Sequence, residues 1–157
     1  MEAEHPARIA ILNFYEALEG LLQGQGTSTM EATWHHVDAA TLVHPYGRWA
    51  LGWTEVSATW QEIASIFSHY RGHQGRTDRI GDIHDLHLYV VGDSAHSVGY
   101  YRSTVHFADG PQQLDVNCTN IATRRDGVWK VIHHHPDQAT VEFQEALARM
   151  VSGKTWP

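Results

Sequence analysis

The segment Arg124-Arg125-Asp126-Gly127-Val128-Trp129-Lys130-Val131-Ile132-His133-His134-His135 decides the fold. Asp126-Gly127 is the dipeptide that a tight two-residue hairpin needs, because both central positions of such a turn take positive φ. The β-branched and aromatic residues that follow favour an extended chain. The segment therefore predicts two antiparallel strands joined at residues 126–127, with Pro136 closing the second. Working backwards, Gly92-Asp93 and Asp109-Gly110 mark two earlier turns. They divide Ile83 to Val91, Ala95 to Phe107, Gln113 to Arg125 and Val128 to His135 into four strands of one meander.

Upstream of the meander the period lengthens to that of a helix. Ile11, Tyr15, Leu18 and Leu22 recur at helical spacing from Pro6 to Gln23, with Gly24 and Gly26 as the stop. Ser28-Thr29-Met30-Glu31 reads as a capping box opening a short helix through Met30, Trp34 and Val37 to near Asp38. Thr41 to Pro45 and Arg48 to Leu51 read as short strands around Tyr46-Gly47. A third helix follows Gly52, carrying Val56, Trp60, Ile63 and Phe67 with Thr54 available as its cap. Phe143, Ala146, Leu147 and Met150 form a last helical stripe. The expected class is α+β, a curved antiparallel sheet wrapped around three N-terminal helices with an extra C-terminal helix. The expected division is a domain over 6–136 and a helical extension over 137–157.

Composition narrows the function. The chain has 157 residues, 42% of them hydrophobic, enough for one well-filled core. Eleven Lys and Arg against 18 Asp and Glu leave a net charge of -7, which disfavours nucleic acid and anionic lipid as partners. Cys118 is the single cysteine, so no intrachain disulfide forms and a reducing cytoplasmic location is expected. Residues 1–10 lack the basic start and apolar run of a secretion signal, and no segment has the length of a membrane span. Thirteen histidines stand out, because imidazole titrates near neutrality and binds metals readily.

The order helix, short helix, strand, helix, meander, together with His87-Leu88-Tyr89-Val90-Val91-Gly92-Asp93, Tyr100-Tyr101-Arg102-Ser103-Thr104 and the segment 124–135, resembles the nuclear transport factor 2-like superfamily. Within it the pattern is similar to SnoaL-like proteins and to the association domain of calcium/calmodulin-dependent kinase II. The resemblance implies a cone whose mouth holds a ligand pocket. It adds weight to His133 and His135, since related domains carry a similar His-x-His after the same Trp. It also implies that Arg102 faces the pocket, while a second arginine of the kinase-domain pocket is replaced here by Asn120.

Strand alternation puts His133 and His135 on one face with their Cα atoms ~6.6 Å apart, alongside Trp129 and Val131, and His134 on the other. An imidazole in a partly apolar pocket acts as a general base or acid at neutral pH with little tuning. Tyr100, Arg102, Thr104 and His106 share a face by the same rule. His44 and Tyr46 fall at the end of the first short strand, where a hydroxyl beside an imidazole can stabilise an oxyanion. Trp34, Trp53 and Trp60 have the spacing of core residues and are candidates to line a cavity. Any of these groups has a plain packing or surface role as its alternative.

The expected function is a cofactor-independent lyase or isomerase acting on a small hydrophobic, aromatic molecule, with elimination as the preferred reaction. His133, His135 or His44 is the base, and Tyr46, Tyr100 or Arg102 stabilises the developing anion. Trp34, Trp53, Trp60, Tyr100, His106 and Asn120 contact the substrate. One alternative is a ligand-binding or assembly module without chemistry. The other is a metal enzyme using His133 and His135 with His106 or His44. A homodimer or homotrimer is expected, built through Tyr101, Val105 and Phe107 on the outer face of the sheet.

Overall fold

The computed structural model describes residues 3–47, 49–70 and 72–152. Its elements run α1 (Pro6–Leu22), α2 (Ser28–Ala32), β1 (Thr41–Val43), β2 (Trp49–Leu51), α3 (Trp53–Ser68), β3 (Gly81–Val91), β4 (Ser94–Phe107), β5 (Gly110–Arg125), β6 (Val128–Pro136) and α4 (Val141–Ser152). The six strands form one open sheet in the order β2-β1-β6-β5-β4-β3. All neighbours are antiparallel except β1 and β6. Asp126 and Gly127 take φ of 50° and 78°, as the tight hairpin between β5 and β6 requires.

Three local expectations are corrected. Ser28 does not cap α2; Thr27 holds the cap position with no side-chain bond, and the helix stops at Ala32. Trp34 instead pairs with Val131 in an isolated parallel bridge, extending the chain towards β6. α3 starts directly after Gly52, at φ 83°, and Glu55 accepts from the Leu51 amide in place of a Thr54 cap. α1 does open at Pro6, where the His5 ring accepts from the Ala7 amide.

The sheet curls around α1 and α3, and the inner layer is one apolar cluster that includes Ile11, Phe14, Trp34, Leu42, Val56 and Trp60. α4 joins the same cluster through Phe143, Ala146, Leu147 and Met150. Glu19 is the buried carboxylate of this layer. It accepts the Ile80 and Gly81 amides at 2.7 and 3.1 Å, fixing the start of β3 to α1.

Candidate active site

The geometry of the site turns on the parity of two strands. Along β4, Tyr101, Ser103, Val105 and Phe107 are buried, whereas Arg102 is exposed and Tyr100, Thr104 and His106 are half-buried. Along β6, Ile121 pairs with His133 but Ala122 pairs with Val131, so Ile132 is an extra residue. This bulge inverts the alternation after Val131, and the buried positions become Val131, His134 and Pro136.

These placements divide the candidate residues between the two faces of the sheet. His133 and His135 lie on the outer side of the sheet, where the Thr41 hydroxyl and the His133 Nδ1 are 2.7 Å apart. Their rings are 6.0 Å from each other. Arg102 also faces outward, its guanidinium 5.3 Å from the Tyr100 ring centre, and it pairs in register with Asp82 on β3 and Asp115 on β5. His106 stays on that side as well. Trp34 is fully buried and Trp53 stacks on His36 at 3.9 Å, and neither lines the cavity. The three-histidine metal site does not assemble: His44 lies inside while His133 and His135 lie outside, and His106 sits ten residues along β4 from His96, the position level with His133 across Ile121. Among the described residues no group of three His, Cys, Asp or Glu side chains is arranged to hold a metal ion.

The inner face encloses a cavity with about 60 Å³ of free space. Three of the candidate residues, His44, Tyr46 and Trp60, line it. Tyr15, Tyr101, Ser103, Cys118, His134 and Phe143 line it too, and the sequence reading assigned none of them to the site. No lining residue carries a formal charge at neutral pH. Burial pushes the Cys118 thiol up to about 12, so it is no nucleophile. Burial likewise raises the Tyr15, Tyr46 and Tyr101 hydroxyls well above the ordinary phenol range, leaving all three as neutral donors.

Behind the cavity wall is a hydrogen-bonded set. The Tyr15 hydroxyl donates to Asn120 Oδ1 at 2.8 Å, and His134 Nδ1 lies 3.2 Å from the same oxygen. A carbonyl oxygen only accepts, so Nδ1 carries the proton and Nε2 keeps a lone pair. Burial, then the neighbouring His133 and His135, hold His134 down to about 3, so it is neutral at any ordinary pH. Asn120 is fully buried and acts by fixing Tyr15 and His134.

Three polar atoms on cavity-lining residues are buried without a hydrogen-bond partner: His44 Nδ1, Tyr101 Oη and Trp60 Nε1. An unpaired buried donor or acceptor costs about 1–3 kcal/mol, and three such atoms belong to residues around this one cavity. Burial lowers the pKa of His44, with the Glu62 carboxylate acting in the opposite direction. The His44 and Tyr46 rings are 5.0 Å apart. Gly47 allows this placement, because a Cβ there would overlap the His44 imidazole. The clue to Tyr101 was present in the sequence: Tyr101, Val105 and Phe107 form the more apolar of the two β4 faces.

A model of the SnoaL-like domain matches residues 11–136. The chain belongs to the SnoaL-like family. Solved structures place this SnoaL-like domain in the cone fold of the nuclear transport factor 2-like superfamily, as the sequence pattern led us to expect. A proposed calcium/calmodulin-dependent protein kinase type II association domain from Thiobacillus denitrificans aligns with a TM-score of 0.65 at 20% identity, over 89% of this chain and 100% of that one. A proposed dehydratase of the NTF2-like family from Streptomyces avermitilis aligns with a TM-score of 0.65 at 21% identity, over 87% and 95%. A proposed ketosteroid isomerase from Shewanella frigidimarina aligns with a TM-score of 0.63 at 15% identity, over 85% and 96%. No curated protein matches the chain.

Proposed function

We propose that this SnoaL-like domain is a cofactor-independent lyase or isomerase that removes a proton beside a carbonyl in the inner cavity. The carrying observation is the presence of an unpaired base atom and unpaired donors around one uncharged cavity: His44 Nδ1, Tyr101 Oη and Trp60 Nε1. The proposed dehydratase and ketosteroid isomerase of the same fold support this class of reaction.

With its proton on Nε2, His44 presents the Nδ1 lone pair to the substrate C–H. The C–H electron pair forms a carbon–carbon double bond as the carbonyl π pair moves onto oxygen. Tyr101, and with it the Trp60 indole, donates to that oxygen, and an apolar surrounding makes such a bond stronger than it is in water. For elimination, the oxygen pair returns to the carbonyl and a β-hydroxyl leaves with the proton held by His44, as water. For isomerisation, His44 returns the proton to a different carbon. We favour elimination. The substrate is hydrophobic and aromatic, with its carbonyl in the cone.

The test follows α-proton exchange of hexanone in deuterium oxide by NMR. His44→Ala is expected to slow protein-catalysed exchange by about 10²- to 10⁴-fold, and Tyr101→Phe by about 10²- to 10³-fold. Hexanone that binds without exchanging would instead make the domain a binding module.

A further inference from the structure

The inner cavity holds about 60 Å³ of free space, against ~150 Å³ for a cavity that admits one benzene ring. A carbonyl and its adjacent carbons fit; most metabolites have more atoms than this. A second space, of about 790 Å³, lies between α3, the β1–β2 turn and α4. His44, Tyr46 and Ile63 line both spaces, so the two adjoin at these side chains. The outer space is rimmed by apolar surface that is unusually open for such side chains: Trp49 is 70% exposed, Val141 64% and Val151 43%. Its described charged residues are Glu62 and Glu145, and Glu62 lies close enough to influence both His44 and Tyr46.

We propose that this outer groove is a second subsite, holding the alkyl or other apolar tail of an elongated substrate whose carbonyl head sits in the cone. The inference rests on the catalytic reading above and adds a substrate class: a neutral or cationic amphiphile with a carbonyl near one end. Three observations converge on it. The inner space is too small for a whole substrate, the two spaces adjoin at His44, Tyr46 and Ile63, and the outer groove carries the exposed apolar side chains Trp49, Val141 and Val151. Glu62 and Glu145 make the groove unfavourable for a tail that ends in an anion.

The probes are the methyl ketones butanone, hexanone and decanone, together with the decanone analogue that ends in a carboxylate, titrated into the full chain by NMR. Affinity is expected to rise about two- to fourfold for each CH₂ added beyond hexanone, as the tail leaves water for the groove. Ala148→Trp changes an exposed α4 residue that lines only the groove. It is expected to abolish the gain with length and leave butanone affinity unchanged. The carboxylate analogue should bind at least about tenfold more weakly than decanone, from loss of apolar contact and repulsion by two carboxylates.

A series with no dependence on length, or a gain that persists in Ala148→Trp, overturns the subsite. Equal or tighter binding of the carboxylate overturns the charge assignment. Butanone exchange that survives alongside a flat series removes the subsite and leaves the catalytic reading standing. A normal gain with length but no exchange removes the catalytic reading and leaves the subsite.

Discussion

At the scale of single residues, the site depends on groups that carry no charge of their own. Gly47 illustrates how little the sequence has to change to disturb it. A methyl group at that position would occupy the space of the His44 ring, so Gly47→Ala is expected to displace the imidazole. Hexanone exchange should fall about tenfold or more, since misplacing a base by ~1 Å costs on that order, while the melting temperature changes little because residue 47 is exposed. A drop in exchange without a drop in stability is the checkable outcome. His134 makes the opposite contribution, to stability rather than chemistry. Its folded pKa is about 3 against an ordinary 6.5. Between these values the unfolded chain binds more protons than the folded one, so stability is complete above about 6.5 and declines as pH falls towards 3. The decline attributable to this one group is on the order of 5 kcal/mol. His134→Gln should therefore cost most near neutrality, and the gap from wild type in a denaturant titration should narrow on acidification.

At the scale of elements, α4 closes the mouth of the cone. Phe143 is 2% exposed and packs edge-on against Phe107 at 5.5 Å and alongside Tyr46 at 6.4 Å. Phe143→Ala is expected to lose about 3–5 kcal/mol of stability through the cavity it leaves. It should also raise the association rate of butanone, measured by NMR line shape, because the same side chain lines the inner space. The elements themselves were legible in the sequence, since helical and strand periods differ clearly and the turn dipeptides are explicit. The facing of β4 and β6 was only partly so. On β4 the apolar alternation of Tyr101, Val105 and Phe107 pointed inward, but the resemblance to a domain with a pocket-facing arginine argued for Arg102. On β6 nothing in the residues 128–135 reveals that Ile132 is supernumerary. A bulge is set by the pairing partner, here the step from Ile121 to Ala122, and one extra residue turns every later side chain over. His134 and the buried Tyr15–Asn120 contact are likewise products of tertiary pairing, at sequence separations of 14 and 105.

At the scale of the whole molecule, the sheet separates two chemical environments. Inside are neutral hydroxyls, two histidines and apolar side chains; outside are Arg102, His133, His135 and the half-buried His106. The apolar patch of Tyr101, Val105 and Phe107, on which an association surface was expected, faces the core. No helix among the described residues is long and apolar enough to cross a membrane. The SnoaL-like cone thus places its candidate chemistry on the concave side, and the lowered pKa of His44 gives that claim a direct readout. The decisive measurement is the pH profile of hexanone exchange recorded beside an NMR titration of the His44 ring, in wild type and in the His133→Gln, His135→Gln double variant. The account predicts that exchange rises with the deprotonated fraction of His44, with a shared midpoint below about 6.5, and that the double variant keeps the same profile. Exchange that ignores the protonation of His44, or that disappears in the double variant, would contradict it.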